Sequence, residues 1–118
     1  MTDTPHRTGY MQAFSHVATA LLYLAVAYRY DHPGFETSRA IRDRLQEFRD
    51  LYTPPTDQTR DTVEAGYRDG KLAVSDALAQ AHLDARHIAR CTGRDIYAVT
   101  RFFDALEDAL YSADYTQD

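Results

Sequence analysis

Apolar residues along this chain recur at helical spacing, and nowhere do they alternate in the two-residue rhythm of a half-buried strand. The most apolar segment runs from about Tyr10 to Tyr30. Phe14, Val17, Leu21, Leu24 and Tyr28 follow a three-four-three-four spacing on one face, and Ala18, Leu22 and Ala25 widen it. Only Ser15, His16 and Thr19 relieve the opposite side. Such a helix is either central and buried or shared with a partner subunit. The turn Asp31-His32-Pro33-Gly34 closes it. Ile41, Leu45, Phe48 and Tyr52 then mark the buried stripe of a second helix over about Thr37 to Tyr52. Thr53-Pro54-Pro55-Thr56 breaks the chain.

Beyond the break, Val63, Tyr67, Val74, Leu78 and Ala81 keep one helical phase. Thr56 is the expected N-cap, with Asp57 well placed near the positive end of the helix. Gly66 and Gly70 each weaken a helix by about 1 kcal/mol relative to Ala. The pattern therefore fits one long helix to about Ala81 or a break at Asp69-Gly70. Residues 1–9 are polar, with Pro5 and Gly9, and read as a loose arm.

The stretch from Leu83 to Leu106 predicts a short helix, a tight turn at Thr92-Gly93 and a longer helix. Asp84 is its expected N-cap, with Leu83 and Ile88 spaced as a hydrophobic staple. Ile88 and the small Ala89 would face the second helix, and Gly93 would supply the positive φ of the corner. Val99, Phe102, Phe103 and Leu106 recur at helical spacing after it. On Ala89, Gly93 and Val99 with their apolar frame, this stretch resembles the helix-turn-helix of DNA-binding regulators. The resemblance covers about 24 of the 118 residues and is at the level of the superfamily. It implies base contacts from Tyr97, Thr100 and Arg101 at the outer side of the second helix, and phosphate contacts from Arg86, Arg90 and Arg94. Two residues depart from the pattern. Ile96 falls where many such proteins carry a polar reader, and Asp95 repels phosphate. The segment after Leu106 is too short and acidic for the β-hairpin of a winged form, which leaves the simple tri-helical one.

The expected fold is all-α: a bundle of four to five helices without a sheet, carrying a C-terminal helix-turn-helix. One domain spans 1–118, with an N-terminal helical pair over 10–55, serving as core or dimer seam, and a second helical part over 56–113. Net charge is −5, which disfavours a general nucleic-acid binder. Its distribution is uneven: residues 82–103 hold four arginines against two aspartates, whereas 104–118 hold five acids and no base. Arg39, Arg42, Arg44 and Arg49 alternate with Glu36, Asp43, Glu47 and Asp50 and read as a solvated, self-neutralising face.

Chemistry-bearing residues are sparse. Cys91 is the single cysteine, which excludes an internal disulfide and fits a reducing cytoplasm; at the turn it reads as a small buried residue. Asp84 and His87 share the spacing of di-metal helical bundles, but the inward-facing glutamates of such a site are missing. His82 and His87 lie five apart, off a common face, and His16 reads as a satisfied core histidine. There is no phosphate-binding glycine loop and no nucleophile–base pair. No metal, cofactor or enzymatic activity is therefore expected. His16, Thr19 and Tyr23 interrupt the first helix as a membrane span, and Asp3 argues against a secretory leader. Two functional readings result. The first is a small cytoplasmic transcriptional regulator, homodimeric on double-stranded DNA. The alternative is an acidic helical protein-interaction module of the antitoxin, immunity-protein or phage-inhibitor kind, supported by net charge and by nine tyrosines, a residue favoured at interfaces. The local charge around Arg86, Arg90, Arg94 and Arg101 discriminates between them.

Overall fold

The computed structural model describes the backbone of residues 4–27 and 32–116 and the side chains of 4–24 and 37–110. It contains four α-helices, α1 (Pro5–Ala27), α2 (His32–Asp50), α3 (Val63–Thr92) and α4 (Ile96–Thr116), and a 3-10 turn over Gln58–Arg60. No strand occurs among the described residues, so the all-α architecture is as expected.

The axis of the bundle is α3, not the more apolar α1. Small residues line its buried side: Gly66, Gly70, Ala77, Ala81, Ala85 and Ala89, with Val74 between. Each lets a neighbouring backbone come close. A Cβ at Gly66 would land on the carbonyl oxygen of His6, and one at Gly9 on that of Val63. A Cβ at Gly70 would lie 2.7 Å from the Tyr10 carbonyl oxygen and 2.8 Å from the Ala13 methyl. These pairings advance together along both chains, so α1 runs parallel to α3 with reciprocal glycines at the crossing. The two glycines of α3 therefore neither break nor merely weaken the helix. Their propensity cost is offset by dispersion contacts that close approach permits. Along its other edge, α2 runs antiparallel to α3: Tyr52, just past its end, reaches His6 near the start of α3, while Arg44 reaches Asp84 two-thirds along.

Local signals place the helix ends. Thr4 caps α1, its Oγ1 accepting from the Arg7 amide at 3.3 Å, and Pro5 takes the first helical position, where a missing N–H costs nothing. The supposed arm is thus the first turns of a helix. Thr62, rather than Thr56, caps α3 through the Ala65 amide, and Asp57 caps the 3-10 turn through Thr59. The helix passes Asp69-Gly70, Ala81 and Asp84 without a break, so Asp84 is mid-helix and not an N-cap.

The core runs through all four helices. Phe14, Val17 and Leu21 of α1, Ile41 and Leu45 of α2, the alanines of α3, and Val99, Phe102, Phe103 and Leu106 of α4 are buried in one cluster. The expected stripes of α2 and α4 are those observed, as is that of α1 through Leu24; Ala18 and Leu22, expected to widen the α1 face, are exposed, and Tyr28 and the Ala25 side chain lie outside the described residues. Ile88 is also exposed, as are Leu83 and Cys91. With 3.6 residues per turn, burial of Ala81, Ala85 and Ala89 turns positions 83 and 91 outward, while Ile88, about 60° from their mean direction, sits at the edge of the buried side and is 37% exposed.

Candidate functional site

The predicted corner has the turn that the sequence gives it. Gly93 adopts φ 71°, ψ 24°. The Arg94 amide donates to the Ala89 carbonyl at 2.8 Å and the Gly93 amide to the Arg90 carbonyl at 3.4 Å, the paired bonds of a Schellman motif. Asp95 then caps α4, accepting from the Tyr97 amide at 2.9 Å.

After that turn α4 folds back over α3. The His82 and Phe103 rings stack at 4.4 Å between centroids and 15° between planes. They sit eleven residues before and ten after Gly93, roughly 15 Å along each helix. Helices leaving the turn at a right angle would be about 20 Å apart by then. The six predicted contact residues all lie within about two turns of the corner and differ in exposure. Arg90 is exposed on the last turns of α3, and Arg86 and Arg94 are half-buried. The Arg86 Nε is shielded from solvent with no hydrogen-bond partner. On α4, Tyr97 and Arg101 are exposed and Thr100 is half-buried. An Arg101 guanidinium nitrogen lies 3.6 Å from Asp95, and the exposed line continues through Asp104 and Asp108. This helix would offer phosphate one arginine among three aspartates.

Ion pairs account for several other arginines. Arg44 grips Asp84 with Nε and NH2 at 2.6 and 3.1 Å and also reaches Glu47. The Arg44 hydrogen bond, outweighing partial burial, holds the Asp84 carboxyl below its ordinary range. Hydrogen bonds from the Thr59 hydroxyl and amide do the same for Asp57.

At the α1–α3 crossing, sequence reading missed a chain of hydrogen bonds. The His6 ring is buried, with Nε2 2.8 Å from Asp69 and Nδ1 2.8 Å from the Tyr52 hydroxyl. The His6 amide donates to Asp61, and Arg60 adds a contact to Asp69. An aspartate–histidine–tyrosine series has the parts of a proton relay. Here, however, both ring nitrogens are engaged by the protein, leaving none for a substrate. Its evident work is to tie α1, the α2–α3 loop and α3 together. Burial, with Tyr52 and Asp69 alongside, pushes the neighbouring Tyr10 phenol up. Among the described residues no three His, Cys, Asp or Glu side chains come together as a metal site.

The least satisfied surface lies between α1 and α2. Both helices pack on α3 and splay from each other, leaving a groove of about 470 Å³. Its α1 wall includes Phe14, Ala18 and Leu22, and its α2 wall Arg42, Leu45 and Arg49. Leu22 is 67% exposed and Tyr23, further round α1, 79%. No Asp, Glu, Lys or Arg occurs from Thr8 to Tyr28, so beyond Arg7 the described exposed flank of α1 carries none of these charges. The sequence carried this signal as an all-round apolar helix. It did not carry the groove, because that depends on where α2 comes to rest.

The chain matches no protein-family model, no curated protein and no solved structure. No helix among the described residues is long and apolar enough to cross a membrane.

Proposed function

We propose that this chain is a protein-interaction module that receives its partner in the groove between α1 and α2. One observation carries the reading: an uncharged helix flank with Leu22 in water faces an arginine-bearing flank across an open apolar floor. Solvated helix faces normally carry charge, and contiguous exposed apolar surface marks contact sites. The α3–α4 corner offers less. Arg86 and Arg94 are half-buried and Arg101 lies beside Asp95, which leaves Arg90 as its exposed arginine with no carboxylate within 4 Å among the described residues.

The test begins with a photo-crosslinking residue at position 22, in the chain expressed in its native host. A trapped protein is then purified and its affinity measured directly. Burying Leu22 is worth about 1.5–3 kcal/mol, so Leu22→Asp should weaken that complex by at least tenfold, whereas Arg90→Ala and Arg101→Ala should leave it unchanged. A crosslinker at Asp104 should trap nothing comparable. Equal binding by the Leu22→Asp protein would overturn the reading. So would tight binding of duplex DNA at low salt that Arg90→Ala weakens.

A further inference from the structure

The charges of α2 are sorted around its axis. Arg39, Arg42, Gln46 and Arg49 recur at intervals of three, four and three and share one sector. Arg42, Gln46 and Arg49 line the groove. Asp43, Glu47 and Asp50 follow round the helix on the side away from α1. Elsewhere, Arg44, Arg60, Arg68 and Arg101 each lie within 4 Å of a carboxylate. Arg39, Arg42 and Arg49 do not, among the described residues, and neither do Arg86 and Arg90 near the end of α3, but only Arg42 and Arg49 line an apolar groove. The recorded partner of Arg49 is the neutral amide oxygen of Gln46, whose NH2 group holds Asp50. In a chain of net charge −5, the groove thus has one basic wall, one uncharged wall and an apolar floor.

On the reading just given, we infer that the partner is an amphipathic helix with an acidic edge. Its apolar stripe would sit on Phe14, Ala18, Leu22 and Leu45, and its uncharged edge would follow α1. Arg42 and Arg49 are two turns apart, about 10.5 Å along α2, so acids seven residues apart on the partner meet both. The α1 wall from Met11 to Leu22 accommodates about three turns. Among the described residues, the acidic helix α4 of a second copy does not fit, because its apolar stripe of Val99, Phe102, Phe103 and Leu106 is already buried in its own core. Groove against groove sets the arginine wall either on its own copy or on the uncharged α1 wall, and neither offers an acid.

Selection of the full chain against a random library of 18-residue peptides tests this. Enriched peptides should be net acidic, with apolar residues at i, i+3 or i+4 and i+7 and two acids seven apart. They should shift the amide resonances of Ala18 and Leu22. Arg42→Glu and Arg49→Glu should each weaken them about tenfold, with circular dichroism unchanged, and Arg90→Glu should not. Groove-bound peptides lacking acids, or indifferent to both reversals, overturn the acidic partner and leave the groove reading standing. Peptides that enrich but shift other surfaces, or no enrichment at all, overturn both.

Discussion

Gly66→Ala sets helix propensity against packing and so tests whether α1 is seated on α3 as described. In an isolated helix, this change stabilises by about 1 kcal/mol. In the bundle the new methyl would land on the His6 carbonyl oxygen and lie 2.7 Å from its carbon. Because the obstacle is backbone, it cannot turn aside; α1 must lift from α3 near its start. That displaces Tyr10 from its place against Gly70 and strains the hydrogen bonds of His6 to Asp69 and Tyr52. Overpacking costs about 1–3 kcal/mol where side chains can adjust, and the rigid obstacle puts this case at or above the upper end. Subtracting the propensity gain leaves a net loss of about 2–3 kcal/mol. Urea unfolding followed at 222 nm measures it. Gly93→Ala is the control, since nothing lies within 4 Å of its Cβ position but φ is +71°. It should lose about 1–2 kcal/mol through left-handed backbone strain alone. A Gly66→Ala protein as stable as the wild type, or more so, would refute the close parallel crossing of α1 and α3.

Further outcomes follow from the polar contacts. His6→Ala removes two buried hydrogen bonds, one of them to a carboxylate, and should cost about 2–4 kcal/mol; a double-mutant cycle with Asp69→Asn should show coupling, and strict additivity would remove the staple. Because the folded-state value for Asp84 is lowered, its contribution is fully present above the ordinary carboxylate value of 3.8 and is lost as pH falls through the lower folded value. Asp84→Asn should flatten that acid limb of the stability profile by less than about 1 kcal/mol, the side chain being 36% exposed; an unchanged limb would remove the Arg44–Asp84 pair as a source. Sedimentation of the chain alone at tens of micromolar should find a monomer, whereas a dimer seated on residues 10–30 would favour the homodimer expectation instead.

The helices were legible because their buried faces are periodic. Stripes such as Ile41-Leu45-Phe48 and Val99-Phe102-Phe103-Leu106 state their inward side without a neighbour. The Gly93 corner was legible for a similar reason, as a positive φ after a helix has few residues to choose from. Two kinds of feature were not. The first is close approach. Gly66 and Gly70 look like defects in one helix until Gly9 and Ala13 of another come against them, and only the pairing makes them assets. His6, Tyr52 and Asp69 are likewise meaningless until α1 begins at Pro5 rather than Tyr10, although Thr4-Pro5 carried that start as a cap followed by a proline.

The second is what a helix face looks at. Read along the chain, the arginines of α2 alternate with acids and cancel, and those of residues 86–101 gather into an apparently basic patch. In the fold the groove-lining arginines of α2 separate from its acids, and Arg101 acquires acidic neighbours. Asp95 lies beside Arg101, and the corner turns Asp104 and Asp108 outward on the same line. Meanwhile α2 directs Arg42 and Arg49 toward α1 and leaves its acids behind. Charge summed over a window of sequence mixes residues about 100° apart on a helix, so it measures composition rather than surface. The positive charge that faces the groove therefore lies on a helix of zero net charge, beside the helix that has no Asp, Glu, Lys or Arg from Thr8 to Tyr28.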